Sequence, residues 1–297
     1  MNPRERGFLL LTSRLGDPER RPLSPARLRT LASRVCEAIP EDPDRELVPD
    51  DLIAMGFDPE FARRIQALLQ QEHRLEAYVR RAKQFDCVPV TRVSPDYPAL
   101  LRRRLGLDSP GCFWAKGDLA ILHTPALSLV GSRELQEPNR AFAARVGVLA
   151  ARQGLTLVSG NARGADRTAQ EACLEAGGQV ISIVADDLRS QPLQKHVLYL
   201  SQEDYDEAFS VQRALSRNRS IHAWGAVTFV AQADLGKGGT WDGTVKNLRC
   251  GWTPVACFQD GSESARRLED LGAFPLTMEE LEQLRISEIG RFSLFDP

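Results

Sequence analysis

Apolar positions along this chain change their spacing near residue 86. Up to about residue 85 they recur at helical intervals. Phe8 to Leu15 predicts one helix, and Ser24-Pro25 opens a second that runs to about Ile39. Asp50 to Glu60 then predicts a helix, a stop at Gly56 and a restart near Pro59, with Phe61, Ile65, Leu68 and Leu69 on one stripe. The Pro- and acid-rich stretch 40–49 separates the two pairs. From residue 87 short apolar runs take over and alternate with helical segments. The runs are 87–93, 111–118, Leu127 to Val130, Leu155 to Val158, Gln179 to Val184, Gly225 to Ala231 and Thr253 to Phe258. Helices are predicted from Pro138 to about Gln153, from Asp166 to about Ala176, over Gln191 to Leu200, over Phe209 to Ala223, from near Thr240, over Ser262 to Leu271 and over Thr277 to Leu284. The tail from Gly290 to Pro297 reads as extended.

Buried runs joined by helices are βαβ units, which demand a parallel sheet. The expected class is therefore α/β. It consists of a parallel sheet with its helices (86–275), a small all-helical N-terminal domain of SAM or helix-hairpin-helix type (1–85), and a C-terminal helix and tail (276–297). In such sheets ligands lie beyond the C-terminal ends of the strands.

Two of those ends carry turns of small residues, Gly131-Ser132-Arg133 and Ser159-Gly160-Asn161-Ala162-Arg163-Gly164-Ala165-Asp166. A third glycine-rich stretch, Gly236-Lys237-Gly238-Gly239-Thr240, opens a helix. Backbone amides, helix N-termini and guanidinium forks together suit a phosphate. The third loop lacks the order of a Walker A motif. Arg213 and Arg217 lie four apart on one helix with no acid between them. Such a pair calls for an anion or a carboxylate opposite. The carboxylate alternative names Asp166, Asp186, Asp187 and Asp242 as partners. The Arg102 to Arg104 triplet reads as a solvated face.

Bulk properties narrow the setting. Net charge is −2, so any polyanion site must be a local basic patch. Six scattered Cys with no C-x-x-C pair give neither a zinc site nor a disulfide framework, and a reducing cytoplasm is the simplest compartment. No apolar run reaches the length of a membrane span. No metal and no cofactor is expected.

Four stretches in order resemble the DNA-processing protein A (DprA/Smf) family of bacteria. They are Tyr97-Pro98-Ala99-Leu100-Leu101 with Phe113-Trp114-Ala115-Lys116-Gly117, then Val130-Gly131-Ser132-Arg133, then Ser159 to Asp166, and last Ser216-Arg217-Asn218-Arg219-Ser220-Ile221. The resemblance implies an extended Rossmann-like domain with a parallel sheet, in a non-enzymatic, homodimeric single-stranded DNA-binding protein. Its members serve DNA uptake and recombination in natural transformation and hand the strand to the recombinase RecA. Gly131, Ser132, Arg133, Ser159, Gly160, Arg163, Gly164, Arg213, Arg217, Asn218, Lys237, Gly238, Gly239 and Thr240 are the expected phosphate- and DNA-binding residues, with Trp241 or His222 available to stack a base. Ala214 departs from the family's usual aromatic, Gln232 from a frequent Glu, and the Gly238 to Asp242 loop from its usual sequence.

A second reading takes the Gly236 to Asp242 loop as similar to that of nucleoside-monophosphate phosphoribohydrolases, with Asp242 near their acid, or as part of a nucleotide sensor. The tail Arg291-Phe292-Ser293-Leu294-Phe295 is similar to peptides that dock on the bacterial sliding clamp. It suits either that partner or the protein's own surface.

Overall fold

Each of the first four helices begins on a proline, where a missing N–H costs no hydrogen bond and φ is already set. They are α1 (Pro3–Thr12), α2 (Pro25–Ala38), α3 (Pro49–Ala54) and α4 (Pro59–Leu69), and α5 (Glu72–Lys83) follows. The computed structural model describes residues 1–38 and 48–287. Most of the acid-rich stretch 40–49, the extended tail and the clamp-like peptide lie outside the described residues. The expected stop at Gly56 is a left-handed turn, φ +82°, between α3 and α4. Asp58 caps α4 by accepting from the Phe61 amide at 2.8 Å, so the acid of this turn occupies the amide a phosphate would need.

The N-terminal helices serve two cores. Leu52, Phe57, Phe61, Ile65 and Leu68 pack with Leu23 and Leu31 in a cluster of their own. Leu9 and Leu10 of α1 and Tyr78 and Ala82 of α5 instead join the cluster on one face of the sheet, where Tyr78 meets Trp114 and Tyr205.

The elements that follow are β1 (Cys87–Thr91), α6 (Ala99–Leu105), β2 (Cys112–Lys116), β3 (Ala126–Val130), α7 (Glu137–Arg152), β4 (Thr156–Ser159), α8 (Ala165–Glu175), β5 (Gln179–Val184), β6 (Val197–Ser201), α9 (Val211–Trp224), β7 (Thr228–Val230), α10 (Gly238–Cys250), β8 (Val255–Phe258), α11 (Glu263–Asp270), β9 (Phe274–Leu276) and α12 (Met278–Gln283). The nine strands form one sheet in the order β1-β2-β6-β5-β4-β3-β7-β8-β9. β1 and β2 are antiparallel to their neighbours, and the pairs from β6 to β9 are parallel. Both edge strands carry a proline at the centre, Pro89 opposite Trp114 and Pro275 opposite Cys257.

The expected helix over Gln191 to Leu200 is corrected. The end of that stretch is β6, which runs on to Ser201 and whose five residues are all buried between β5 and β2. The connection from β5 contains only a short 3-10 turn, Leu188–Ser190. Val197 to Leu200 is a continuous apolar run, the signature of a strand covered on both faces. β9 was hidden by its length of three residues.

From β3 the chain builds outward through β4, β5 and β6, then returns to the other side of β3 as β7 and continues to β8 and β9. The order therefore reverses between β3 and β7. In sheets of this kind the crevice that takes ligands lies at such a reversal, outside the carboxyl ends of the strands.

Candidate nucleic-acid interface

Three loops meet at the reversal point, and glycine is required where they touch. A Cβ on Gly131 would lie 2.4 Å from the Cβ of Ala165. A Cβ on Gly164, at φ +89°, would lie 2.4 Å and 2.5 Å from the carbonyl oxygens of Arg133 and Ser132. The turns after β3 and β4 thus press backbone on backbone, and the Ala165 amide donates to Ser132 O at 3.1 Å.

The loop after β7 locks onto the same turn. Ser132 N donates to Gln232 O at 2.9 Å. The Gln232 side chain accepts from Gln136 N at 3.0 Å and donates to Glu134 O at 3.1 Å, holding residues 132–136 from both ends. Thr240 donates its hydroxyl to Gly131 O at 2.9 Å, and Asn218 on α9 donates to Gly239 O at 3.1 Å. Thr240 and Asn218 are therefore ties that set the start of α10 beside the Gly131 turn. α10 has no side-chain cap, since its N-cap is Lys237. The first amides of α10 therefore receive no bond from a capping side chain, and they carry the positive end of the helix dipole.

The cationic side chains separate into three groups. Arg133 and Lys237 are exposed, and among the described residues neither makes an ion pair. Arg163 also points outward, 79% exposed, 3.6 Å from Glu134. Arg217 and Arg213 are buried. Arg217 lies 3.6 Å from Asp166, and its guanidinium covers Gly160 so closely that a Cβ there would overlap it. Burial pushes the Asp166 carboxyl above its ordinary range, and Arg217 only partly offsets this. Burial likewise lowers the pKa of Arg217; Asp166 opposes that shift and the charge of Arg133 adds to it. Arg133, after β3, and Arg217, on α9, are thus within electrostatic reach of each other. Asp166 covers only Arg217.

Arg213 does not face the crevice. Its Nη1 donates to the carbonyls of Ala185, Glu207 and Ala208 at 3.0, 2.7 and 2.8 Å, and its Nη2 donates to Ser201 Oγ at 2.9 Å. Its Nε lies 3.2 Å from Glu203. The anion its position demanded is a set of protein oxygens, and its role is to fix α9 to the loop after β6. Ser159 is also turned inward, accepting from Gln170 Nε2 at 2.6 Å beneath Gly160. His222 is fully buried, with burial lowering its pKa to about 3, so it cannot stack a base. Trp241 is partly buried against the apolar cluster under α10. Asp242 is exposed.

Two contributors are not apparent from the sequence. Gln232 is the staple of the loop, and its departure from the family's Glu was the available signal. Arg104, expected to be solvated, donates from one nitrogen to the carbonyls of Ala223, Trp224 and Gly225 at 3.0, 3.3 and 2.6 Å. It closes the negative end of α9.

Among the described residues no group of three or more His, Cys, Asp or Glu could hold a metal ion, and no helix is long and apolar enough to cross a membrane. The family model of DNA recombination-mediator protein A matches residues 89–280, from β1 to α12. The chain belongs to this family. Family membership places the chain in DNA processing and recombination. Protein Smf of Escherichia coli is 32% identical over 89 residues, which is 30% of this chain and spans only 24% of Smf. DNA processing protein A of Streptococcus pneumoniae shares the fold, with a TM-score of 0.67 at 21% identity over 88% of this chain and 98% of that one. The Helicobacter pylori protein, described for a single-stranded DNA binding mode, has a TM-score of 0.55 at 21% identity over 71% and 96% of the two chains.

Proposed function

We propose that this protein binds single-stranded DNA by its phosphates at the crevice between β3 and β7, in DNA uptake and recombination. The observation that carries the reading is the bond from Thr240 to Gly131 O, which holds the uncapped start of α10 against the Gly131-Ser132-Arg133 turn. A phosphate placed there meets the amides of Gly238 and Gly239, the Arg133 fork and Lys237 together. Gly160, Gly164, Arg217 and Asn218 shape the wall behind it, and Arg163 adds charge at the rim. The single-stranded DNA binding described for the Helicobacter pylori relative supports the same ligand class.

The finer steps belong to the same reading. The protein works as a homodimer in the cytoplasm and passes the strand to RecA. Residues 1–85, 86–275 and 276–297 act as helical domain, DNA-binding domain and tail, and the tail is the segment to delete in a clamp pull-down. These steps rest on family membership.

Fluorescence anisotropy with single- and double-stranded oligonucleotides at two salt concentrations tests the site. Arg133→Glu should weaken single-strand binding about tenfold or more and lower the salt slope by about 0.7 for each phosphate that is no longer neutralised. Unchanged affinity and slope in that variant would overturn the proposal.

A further inference from the structure

Four large apolar side chains on the segments around the start of α10 are left in water. Phe209 is 53% exposed, Val211 67%, Leu215 48% and Leu235 39%. Val211 and Leu215 are four apart on α9 and share one face. Phe209 directly precedes the α9 N-cap, Ser210, and Leu235 lies on the loop that leads into α10. The patch is continuous with the crevice, because Leu215 Cδ2 lies 3.0 Å from where a Cβ of Gly239 would stand. Asn218, one turn further along α9, holds Gly239 O. A strand of phosphates at the start of α10 therefore has an apolar shelf on one side.

We propose that this shelf, Phe209, Val211, Leu215 and Leu235, receives the unpaired bases of the strand whose phosphates occupy the crevice. The inference rests on the phosphate reading above. Its occupant follows from continuity and charge. A cationic, amide-lined rim next to exposed apolar side chains suits a ligand with alternating anionic and flat apolar parts, which a single strand is. α9 itself carries no acid to repel it; the half-buried Glu207 precedes Phe209 by two residues and the exposed Asp234 precedes Leu235. Base pairing would withdraw the bases from the shelf, so it supplies the preference for single over double strands. Phe209 offers a ring to stack on, while Val211 and Leu215 offer methyl groups to the faces and edges of pyrimidines.

The test compares an oligothymidylate with an abasic strand of equal length and equal phosphate number. Wild-type protein should bind the oligothymidylate about tenfold more tightly. The triple variant Phe209→Ala, Val211→Ser, Leu215→Ser changes only exposed side chains. It should bind both strands with the wild-type affinity for the abasic one. Equal wild-type affinity for the two strands, or a preference that survives in the triple variant, overturns the inference and leaves the phosphate site standing. So does a dimer in light scattering that the triple variant dissociates while its thymidine preference persists, which would make the shelf a subunit interface. If wild-type protein binds neither strand, the phosphate reading falls and this inference falls with it.

Discussion

Arg217 reaches from α9 to Asp166 at the start of α8, 3.6 Å between guanidinium and carboxylate, with both side chains buried. The Arg217 Nε has no partner among the described residues, so the pair is under-satisfied as well as dry. Two opposite charges in that position depend on each other more than on the rest of the protein. Arg217→Ala or Asp166→Ala alone should cost about 3–5 kcal/mol of stability, because each strands a buried charge. The double variant should cost clearly less than the sum. Urea denaturation of the three variants measures the coupling, and additive losses would show that the pair is not a unit.

Arg133 and Arg213 should behave as opposites although both were expected at the phosphates. Arg213 spends its guanidinium on four protein oxygens and a carboxylate, whereas Arg133 has no ion-pair partner among the described residues. Arg213→Ala should lose about 3 kcal/mol or more in denaturant while the salt slope of DNA binding stays as in wild type. Arg133→Ala should leave the denaturation midpoint unchanged and flatten the slope.

The contact between the two turns has no slack. Gly164→Ala would place a methyl group 2.4 Å from Arg133 O at a backbone angle that alanine resists. It should destabilise the protein by about 1–3 kcal/mol and also weaken DNA binding, since relief of the clash moves Arg133. Thermal unfolding and anisotropy together check it. A stability loss with intact binding would mean that the strain is relieved on the Gly164 side alone.

Two buried groups give the acid limb of stability opposite slopes. His222 is neutral in the fold, its pKa lowered by burial from 6.5 to about 3. Its contribution is present above pH 6.5 and is lost as pH falls toward 3. Asp204 accepts from Ser13 Oγ at 2.6 Å and Arg14 N at 3.0 Å, yet burial raises its pKa from 3.8 to about 6. The folded state therefore keeps a proton there that the unfolded chain releases above pH 3.8, and this contribution, roughly 3 kcal/mol, is lost as pH rises through about 6. His222→Phe should flatten the loss of stability on acidification. Asp204→Asn should steepen it and raise relative stability near neutral pH. Denaturant midpoints followed from neutral to acid pH would reverse the assignments if the two variants moved the same way.

The strands around the reversal point were legible because each is a short apolar run closed by glycine or serine, as at Leu129-Val130-Gly131 and Val158-Ser159-Gly160. Parallel pairing then follows from the helices between them, and with it the meeting of the Gly131, Gly160 and Gly238 turns. β6 was not legible, because Val197 to Leu200 lies where a crossover helix is expected and an unbroken apolar run suits either element. The arginines of α9 were half legible. Spacing of four put Arg213 and Arg217 on one face, and both do point inward. Sequence alone cannot tell whether the oxygen opposite belongs to a phosphate, a carbonyl or a carboxylate, since all three satisfy a guanidinium. Asp166 was within the recognised turn, but only the fold sets it against Arg217.

The two prolines at the sheet borders constrain how copies of this protein can associate. Pro89 and Pro275 each leave a gap in the donor row of an outermost strand. Among the described residues, neither border offers an unbroken ladder for a neighbouring molecule to extend. Edge-to-edge pairing of copies into a continuous sheet is therefore disfavoured at both borders.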